Sequence, residues 1–274
     1  MRVLLTNDDG ARAPGIAALY HAIRDRFDEV LVVAPLYVQS ATSHGITYGE
    51  PLMTRRIRVE QFGGVYEAIA VEGRPADCTK LALTNIWPER FGEGSRPDLV
   101  ISGMNMGANV GINIIYSGTV AAAIEAAFLG VPAIGVSNHL GRGTPDFPSA
   151  ARHARRAIDA ILDSLGGAAP TPHEMINVNV PRCEFEDETR DEPVPIVVCP
   201  MNIHAVVDRY ERRESPTGDA YYWPTGDGMD FRQADRGSDV EQLMLRHTTV
   251  TPLKYDLTES TMLKTYRDRV STQR

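Results

Sequence analysis

Three cysteines in 274 residues, Cys78, Cys183 and Cys199, are too few and too scattered for a disulfide framework or a Cys-x-x-Cys metal clip. They read as buried free thiols. Long hydrophobic runs are missing too: no stretch approaches the ~18 apolar residues of a membrane helix. Positive charge is in deficit, with 28 Lys and Arg against 36 Asp and Glu and a formal net charge of -8. A duplex nucleic-acid binder needs a basic face against backbone phosphates, so that class is excluded, whereas a local site for a small phosphorylated ligand is not. Met1 leads directly into strand-like sequence without the basic and apolar regions of a secretion signal, and the expected compartment is the cytoplasm.

Familiar catalytic signatures are also absent. No Gly-x-x-x-x-Gly-Lys-Ser/Thr P-loop, no Gly-x-Ser-x-Gly elbow and no His-Glu-x-x-His pair occurs. The seven histidines read as surface or structural, with His44 kept in view because it lies near Ser40.

What is present begins at the amino terminus. The apolar run Arg2-Val3-Leu4-Leu5-Thr6 ends in Asn7-Asp8-Asp9-Gly10, which sets two adjacent carboxylates where open α/β sheets hold their ligands. Adjacent carboxylates repel, and a hard divalent cation such as Mg2+, Mn2+ or Ca2+ relieves that repulsion through oxygen ligands. The same tetrapeptide is also good turn chemistry.

Strand-like and helical runs alternate through the first two thirds of the chain. Strands are expected at 2–6, 29–34, 65–71, 98–102, 132–137 and 175–180, with helices at 14–27, 75–86, 120–129 and 150–165. Such alternation predicts an α/β fold, a Rossmann-like and mostly parallel sheet with helices on both faces. From Pro181 the chain turns rich in charge and proline, with Tyr221-Tyr222-Trp223 and a Gly-Asp-Gly turn at Gly226 to Gly228, which reads as an extended hairpin arm. Thr249 to Leu253 reads as ordered again. A helix from about Glu259 carries Leu263, Tyr266 and Val270 on one stripe, suited to its own core or to a partner chain. The expected organisation is a metal- and phosphate-binding core over 1–181, and over 182–274 a β-hairpin arm and terminal helix in oligomer contacts.

Three further segments carry chemistry. Ser102-Gly103-Met104-Asn105-Met106-Gly107-Ala108-Asn109-Val110-Gly111 follows a strand and offers amide oxygens to a cation, or amide hydrogens to a phosphate, from Asn105 and Asn109. It is equally ordinary loop composition, and its spacing is not that of a dinucleotide fingerprint. Ser117-Gly118-Thr119 runs into the helix former Val120 to Phe128 and so marks a helix amino terminus, where amide hydrogens and the dipole favour an anion. A plain N-cap is the alternative there. Ser40, after the second strand, brings a hydroxyl to the same sheet edge. The convergence suits metal-assisted phosphoryl transfer to water. A phosphoaspartate phosphatase fits poorly, because Asn7 occupies the nucleophile position relative to Asp9, and a receiver-type switch lacks its acceptor aspartate in 97–103.

These residues resemble the SurE family of stationary-phase survival nucleotidases. The resemblance is carried by Leu-Leu-Thr-Asn-Asp-Asp-Gly with Ala13-Pro14-Gly15-Ile16, by Val-Val-Ala-Pro before Ser40, and by Ser102-Gly-Met-Asn105-Met-Gly107 with Asn109 and Gly111. It continues through Tyr116-Ser-Gly-Thr-Val-Ala-Ala-Ala123, Gly130-Val-Pro-Ala, Asn177-Val-Asn-Val-Pro181, Tyr221-Tyr-Trp223 and Thr251-Pro252-Leu253. It implies a divalent-metal-dependent phosphomonoesterase acting on nucleoside 5'- or 3'-monophosphates, with one Mg2+ or Mn2+ per subunit and Ca2+ as a non-physiological occupant. By position it implies Asp8, Asp9, Ser40 and Asn105 as metal ligands, with Asp8 and Asp9 as the catalytic pair. Asn109, Ser117, Gly118 and Thr119 match the phosphate pocket. A homodimer is implied, which in some members pairs further into a tetramer. The alternative from another class is a nucleotide- or phosphate-binding regulatory dimer with little turnover. The chain departs from the family where Leu36-Tyr-Val-Gln-Ser40-Ala41 replaces Asp-Arg-Asn-x-Ser-Gly, at Arg12 and Arg74, and over 199–208. Either arginine could grip a phosphate or be solvated.

Overall fold

Residues 1–207, 209–225 and 229–271 are described in the computed structural model, so the turn expected at Gly226 to Gly228 lies outside the described residues. The strands are β1 (Arg2–Thr6), β2 (Glu29–Pro35), β3 (Thr54–Gln61), β4 (Gly64–Val71), β5 (Leu99–Met106), β6 (Ala133–Asn138), β7 (Met175–Val180), β8 (Ile196–Val198), the hairpin β9 (Arg209–Glu214) and β10 (Ala220–Thr225), and β11 (Thr248–Leu253). Nine of them form one sheet in the order β3-β4-β2-β1-β5-β6-β7-β11-β8. The six strands from β4 to β7 in that order run parallel. β3 and β11 are antiparallel to their neighbours β4 and β7.

Helices α1 (Pro14–Ile23), α2 (Pro75–Leu81), α3 (Trp87–Phe91), α4 (Gly118–Phe128), α5 (Phe147–Ser164), α6 (Asp239–Met244) and α7 (Ser260–Ser271) complete the described fold. Period-two alternation divides the core between the two sheet faces. Val3 and Leu5 pack with Ile16, Leu19 and Ile158 of α1 and α5. Leu4 packs on the opposite face with Trp87, Val120 and Ala123, under α3 and α4. No helix among the described residues is long and apolar enough to cross a membrane.

Several boundaries differ from expectation for physical reasons. α1 stops at Ile23 rather than 27, yet Phe27 stays in the core because the turn after the helix carries it inward. The helix expected over 75–86 loosens after Leu81 into a wide turn in which Trp87 N reaches Ala82 O, and α3 restarts beyond it. Pro88 accounts for this: it has no N–H, and its ring presses on the carbonyl one turn back. α5 begins at Phe147, three residues early, because Asp146 caps it by accepting the Ser149 amide at 3.1 Å. β3, β8 and α6 were not expected. β5 continues past the expected Ser102 to Met106, with a register shift against β6 between Ser102 and Asn105. Asn105 therefore stands on a strand end rather than in a loop.

β1 is the point where the sheet changes its direction of growth. The chain adds β2 and β4 on one side of it, then crosses to add β5, β6 and β7 on the other. The crevice at the carboxyl ends of β1 and β5 is where such sheets take ligands.

Candidate active site

The loop after β1 is shaped by its own side chains. Asn7 Nδ2 donates to Gly10 O at 3.0 Å, and Gly10 N donates to Asn7 Oδ1 at 3.2 Å. Gly10 has φ +101°, a conformation that favours glycine. Between them Asp8 and Asp9 are 4% and 7% exposed. The turn reading and the carboxylate reading thus describe one loop.

Each neighbouring segment is tied to that loop. Gln39 N donates to Asp8 O at 2.8 Å, which brings the segment after β2 alongside. The next turn is held by Ser43, whose amide donates to Tyr116 O at 3.0 Å and whose hydroxyl donates to Ile115 O at 2.7 Å. Met106 N, at the end of β5, donates to Asp9 Oδ2 at 2.8 Å. Asn105 Nδ2 donates to Gly107 O at 2.7 Å, leaving its amide oxygen as the group able to face a cation.

At the start of α4, Ser117 Oγ accepts the Val120 amide at 3.1 Å and is a true N-cap. Thr119 Oγ1 donates to Asp8 Oδ1. Gly118 permits this approach: a Cβ there would lie 2.7 Å from Asp8 Cβ and 2.9 Å from Asp8 Oδ2. The helix amino terminus is therefore pressed against the acidic loop, with its first amides lacking intrahelical acceptors.

A cavity of about 230 Å³ opens at this junction, and Asp8, Ser40, Asn105, Asn109 and Ser117 line it together with Ala41, Met106, Asn113 and Tyr116. Asp9, Gly118 and Thr119 are not among its lining residues. Asp9 stands behind it on Met106, and the Thr119 hydroxyl proton is engaged by Asp8. Asn113 was not singled out in the sequence. It sits in the short 3-10 turn over Gly111–Tyr116, and no pattern in Gly-Ile-Asn-Ile-Ile-Tyr marks it. Arg12 donates to Arg58 O of β3 at 3.5 Å, and Arg74 stands at the N-cap position of α2, its amide donating to Asp77 Oδ2 at 2.9 Å and its guanidinium beside Gly45. Neither lines the cavity. His44 lies outside it as well, 2.8 Å from the buried Glu125 and stacked on Phe128.

Electrostatics set the character of the pocket. Burial pushes the Asp8 carboxyl up to about 6 from its ordinary 3.8, the Asp9 charge adds to the rise, and the Thr119 hydrogen bond opposes it. Burial raises Asp9 as well, against the Met106 amide. Among the described residues no basic side chain is ion-paired with either carboxylate, so two buried carboxyl groups lie side by side without a basic partner. No cluster of three or more His, Cys, Asp or Glu that could hold a metal occurs among the described residues, which leaves a mixed set of two carboxylates and neutral oxygens. That donor chemistry fits a hard, oxygen-seeking cation such as Mg2+ or Mn2+ better than zinc. All three cysteines are buried free thiols.

Known proteins match the chain over nearly its whole length. The family model described as "Survival protein SurE" matches residues 3–205. The chain is 42% identical over 271 residues to a 5'-nucleotidase SurE of Rhodopirellula baltica, covering 98% of each chain. It is 40% identical over 260 residues to a 5'-nucleotidase SurE of Desulfovibrio desulfuricans, covering 94% of this chain and 95% of the relative. The crystal structure of the SurE protein from Aquifex aeolicus superposes with a TM-score of 0.75 at 31% identity, over 97% of this chain and 98% of that one. With its sequence and its fold both matched over nearly their whole length, the chain belongs to the SurE family.

Proposed function

We propose that this protein is a divalent-metal-dependent phosphatase that releases phosphate from nucleoside 5'-monophosphates, with 3'-monophosphates as the second class to be tested. The observation that carries the reading is the pair of buried carboxylates Asp8 and Asp9 beside the amino terminus of α4, Asp8 lining a cavity to which Ser40, Asn105, Asn109, Asn113 and Ser117 bring neutral oxygens and amides, and Asp9 standing directly behind it. The name 5'-nucleotidase borne by similar proteins supplies the substrate class.

In this reading Asp8, Asp9, Ser40 and Asn105 hold one Mg2+ or Mn2+. A bound divalent cation supplies polarisation of the phosphoryl group and easier deprotonation of the attacking water. The chain supplies the rest. Asp8 and Asp9 orient the water, and Thr119 fixes the Asp8 carboxylate. Asn109, Ser117 and the first amides of α4 receive the phosphate, because a helix amino terminus favours an anion and the Asn109 amide carries a second hydrogen beyond the one donated to Ser137.

Phosphate release should be measured from a panel of nucleoside monophosphates and polyphosphate with Mg2+, Mn2+ or chelator, in wild-type protein and in Asp8→Ala and Asp9→Ala. Metal-stimulated turnover that both substitutions abolish is expected, and retained turnover in both variants sinks the proposal. Tight nucleotide binding without release across all metals would favour a regulatory binding dimer instead.

Residues 1–181 act as the metal- and phosphate-binding core in this reading, but the expected boundary at 181 does not divide the fold, because β8 and β11 complete the same sheet; only the exposed hairpin β9–β10 and α7 serve assembly. All of β9 and β10 is exposed, including Tyr221, Tyr222 and Trp223, and so are Leu263, Tyr266 and Val270 of α7. Apolar surface of that kind seeks a cover, and a second copy of the chain provides it in a homodimer or homotetramer. The cytoplasm is the proposed compartment.

A further inference from the structure

Asn109 has no strand beside it, yet both polar groups of its main chain are held by side chains of β7. Its amide donates to Asn179 Oδ1 at 2.8 Å, and Asn179 Nδ2 donates back to Asn109 O at 3.0 Å. Asn177 Nδ2 donates to the same carbonyl at 2.7 Å. The Asn109 side chain is then steadied by Ser137 Oγ of β6, which accepts from its Nδ2 at 2.9 Å. Ser137, Asn177 and Asn179 are all 0% exposed, and Ser137 pairs directly with Asn179 in the sheet.

A carboxamide presents a donor and an acceptor spaced like those of a peptide, so Asn179 serves residue 109 as a neighbouring strand would. The orientation of its amide follows, because only one assignment satisfies both an N–H and a C=O. Packing alone does not call for asparagine at these positions. Val178 and Val180, on the opposite face of β7, show what a buried strand ordinarily takes, and a buried amide is costly unless it is engaged. Both polar atoms of Asn179 are engaged on residue 109, while Asn177 engages it through Nδ2 alone.

We infer that Asn179, backed by Asn177, is a positioning residue of the active site: it fixes the backbone of Asn109 so that the Asn109 side chain meets the substrate phosphate in the cavity shared with Asp8 and Asn105. The inference rests on the proposed role of Asn109 as a phosphate contact. Neither β7 asparagine is bonded to Asp8, Asp9 or Asn105, so the cation and the phosphate should respond differently to their loss.

The test compares Asn109→Ala, Asn179→Ala and the double variant by calorimetric titration with Mn2+ and, in the presence of Mn2+, with inorganic phosphate, alongside kcat and KM. In Asn179→Ala, phosphate affinity should fall about tenfold with KM rising in step, while Mn2+ affinity stays within about twofold. The double variant should bind phosphate no more weakly than Asn109→Ala, because both substitutions remove one contact. Unchanged phosphate affinity in folded Asn179→Ala, losses that multiply in the double variant, or a parallel collapse of Mn2+ binding would each overturn the inference. If Asn179→Ala does not fold, Asn177→Ala, which leaves the Asn109 amide bonded, is read in the same way. Wild-type protein that binds phosphate but hydrolyses no monophosphate would overturn the proposed function and leave this measurement intact. An Asn109→Ala variant with undiminished phosphate affinity would overturn the inference itself.

Discussion

Thr119 gives its hydroxyl hydrogen to Asp8, joining the first turn of α4 to the loop after β1 at an acidic residue rather than through backbone alone. The bond opposes the rise that burial imposes on Asp8.

Thr119→Val keeps the side-chain shape and removes the donor. The Asp8 carboxyl then rises above about 6, and protons compete better with a cation for it. Mn2+ affinity should fall by about fivefold at pH 6 and by much less at pH 8, because a carboxyl that holds its proton about ten times more tightly drops from about half to about one-tenth ionised at pH 6 and stays mostly ionised at pH 8. Titrations at both pH values check this; an equal loss at the two would show that the hydroxyl does not tune Asp8.

Asp8 should trade stability for chemistry. Its folded value lies above its ordinary one, so its contribution is most favourable below about 3.8 and is lost as pH rises through about 6, costing roughly 3 kcal/mol at neutral pH in metal-free protein. Asn at position 8 keeps an oxygen for Thr119 and discards the charge. Asp8→Asn should therefore melt several degrees higher than wild type in chelator at pH 7.5, lose that advantage near pH 4, and show no phosphatase activity. Thermal denaturation at the two pH values decides it.

Gly118→Ala sets helix propensity against sterics. Alanine favours a helix by up to about 1 kcal/mol, but the new Cβ would meet Asp8 and, at 3.0 Å, Pro75 Cγ. The helix start must move away from the acidic loop. A lower melting temperature together with turnover reduced by about tenfold or more is expected, and an active variant of raised stability would contradict the close approach.

Ala41 holds φ +56° where the family resemblance leads one to expect glycine. Ala41→Gly should relieve about 1 kcal/mol of left-handed strain and raise the melting temperature by roughly 2–4 °C. Activity should be retained, because Ser40 keeps its place on the cavity. Calorimetry and a phosphate assay check both statements.

Charge on the exposed apolar stripe of α7 should disrupt assembly. Tyr266→Glu with Val270→Glu is expected to shift sedimentation toward monomer without altering Mn2+ binding, as neither residue lines the cavity.

The acidic loop was legible because strand periodicity, turn chemistry and paired carboxylates coincide within nine residues. β3 was not: Thr54-Arg-Arg-Ile-Arg is too charged for a core strand and sits at a sheet edge, where exposed side chains weaken the alternation, although Phe62-Gly63-Gly64 marked its hairpin turn. Asn177 and Asn179 stood out only as part of a family pattern, since they act on another residue's main chain and leave no signal of their own. Asp239 is a similar case. It accepts the amides of Gly111 at 2.8 Å and Asn202 at 2.8 Å, segments that nothing in the local sequence brings together.

The crossing of the chain from one side of β1 to the other has a consequence for biosynthesis. Asp8 and Asp9 leave the ribosome well before the residues that secure them: Thr119, which holds Asp8, follows 111 residues later, and Met106, which holds Asp9, 97 residues later. Contacts of such range form slowly. The pocket becomes electrostatically demanding only once β5 and α4 have closed on the loop after β1, so the raised Asp8 carboxyl is a property of the assembled sheet and not of the loop alone.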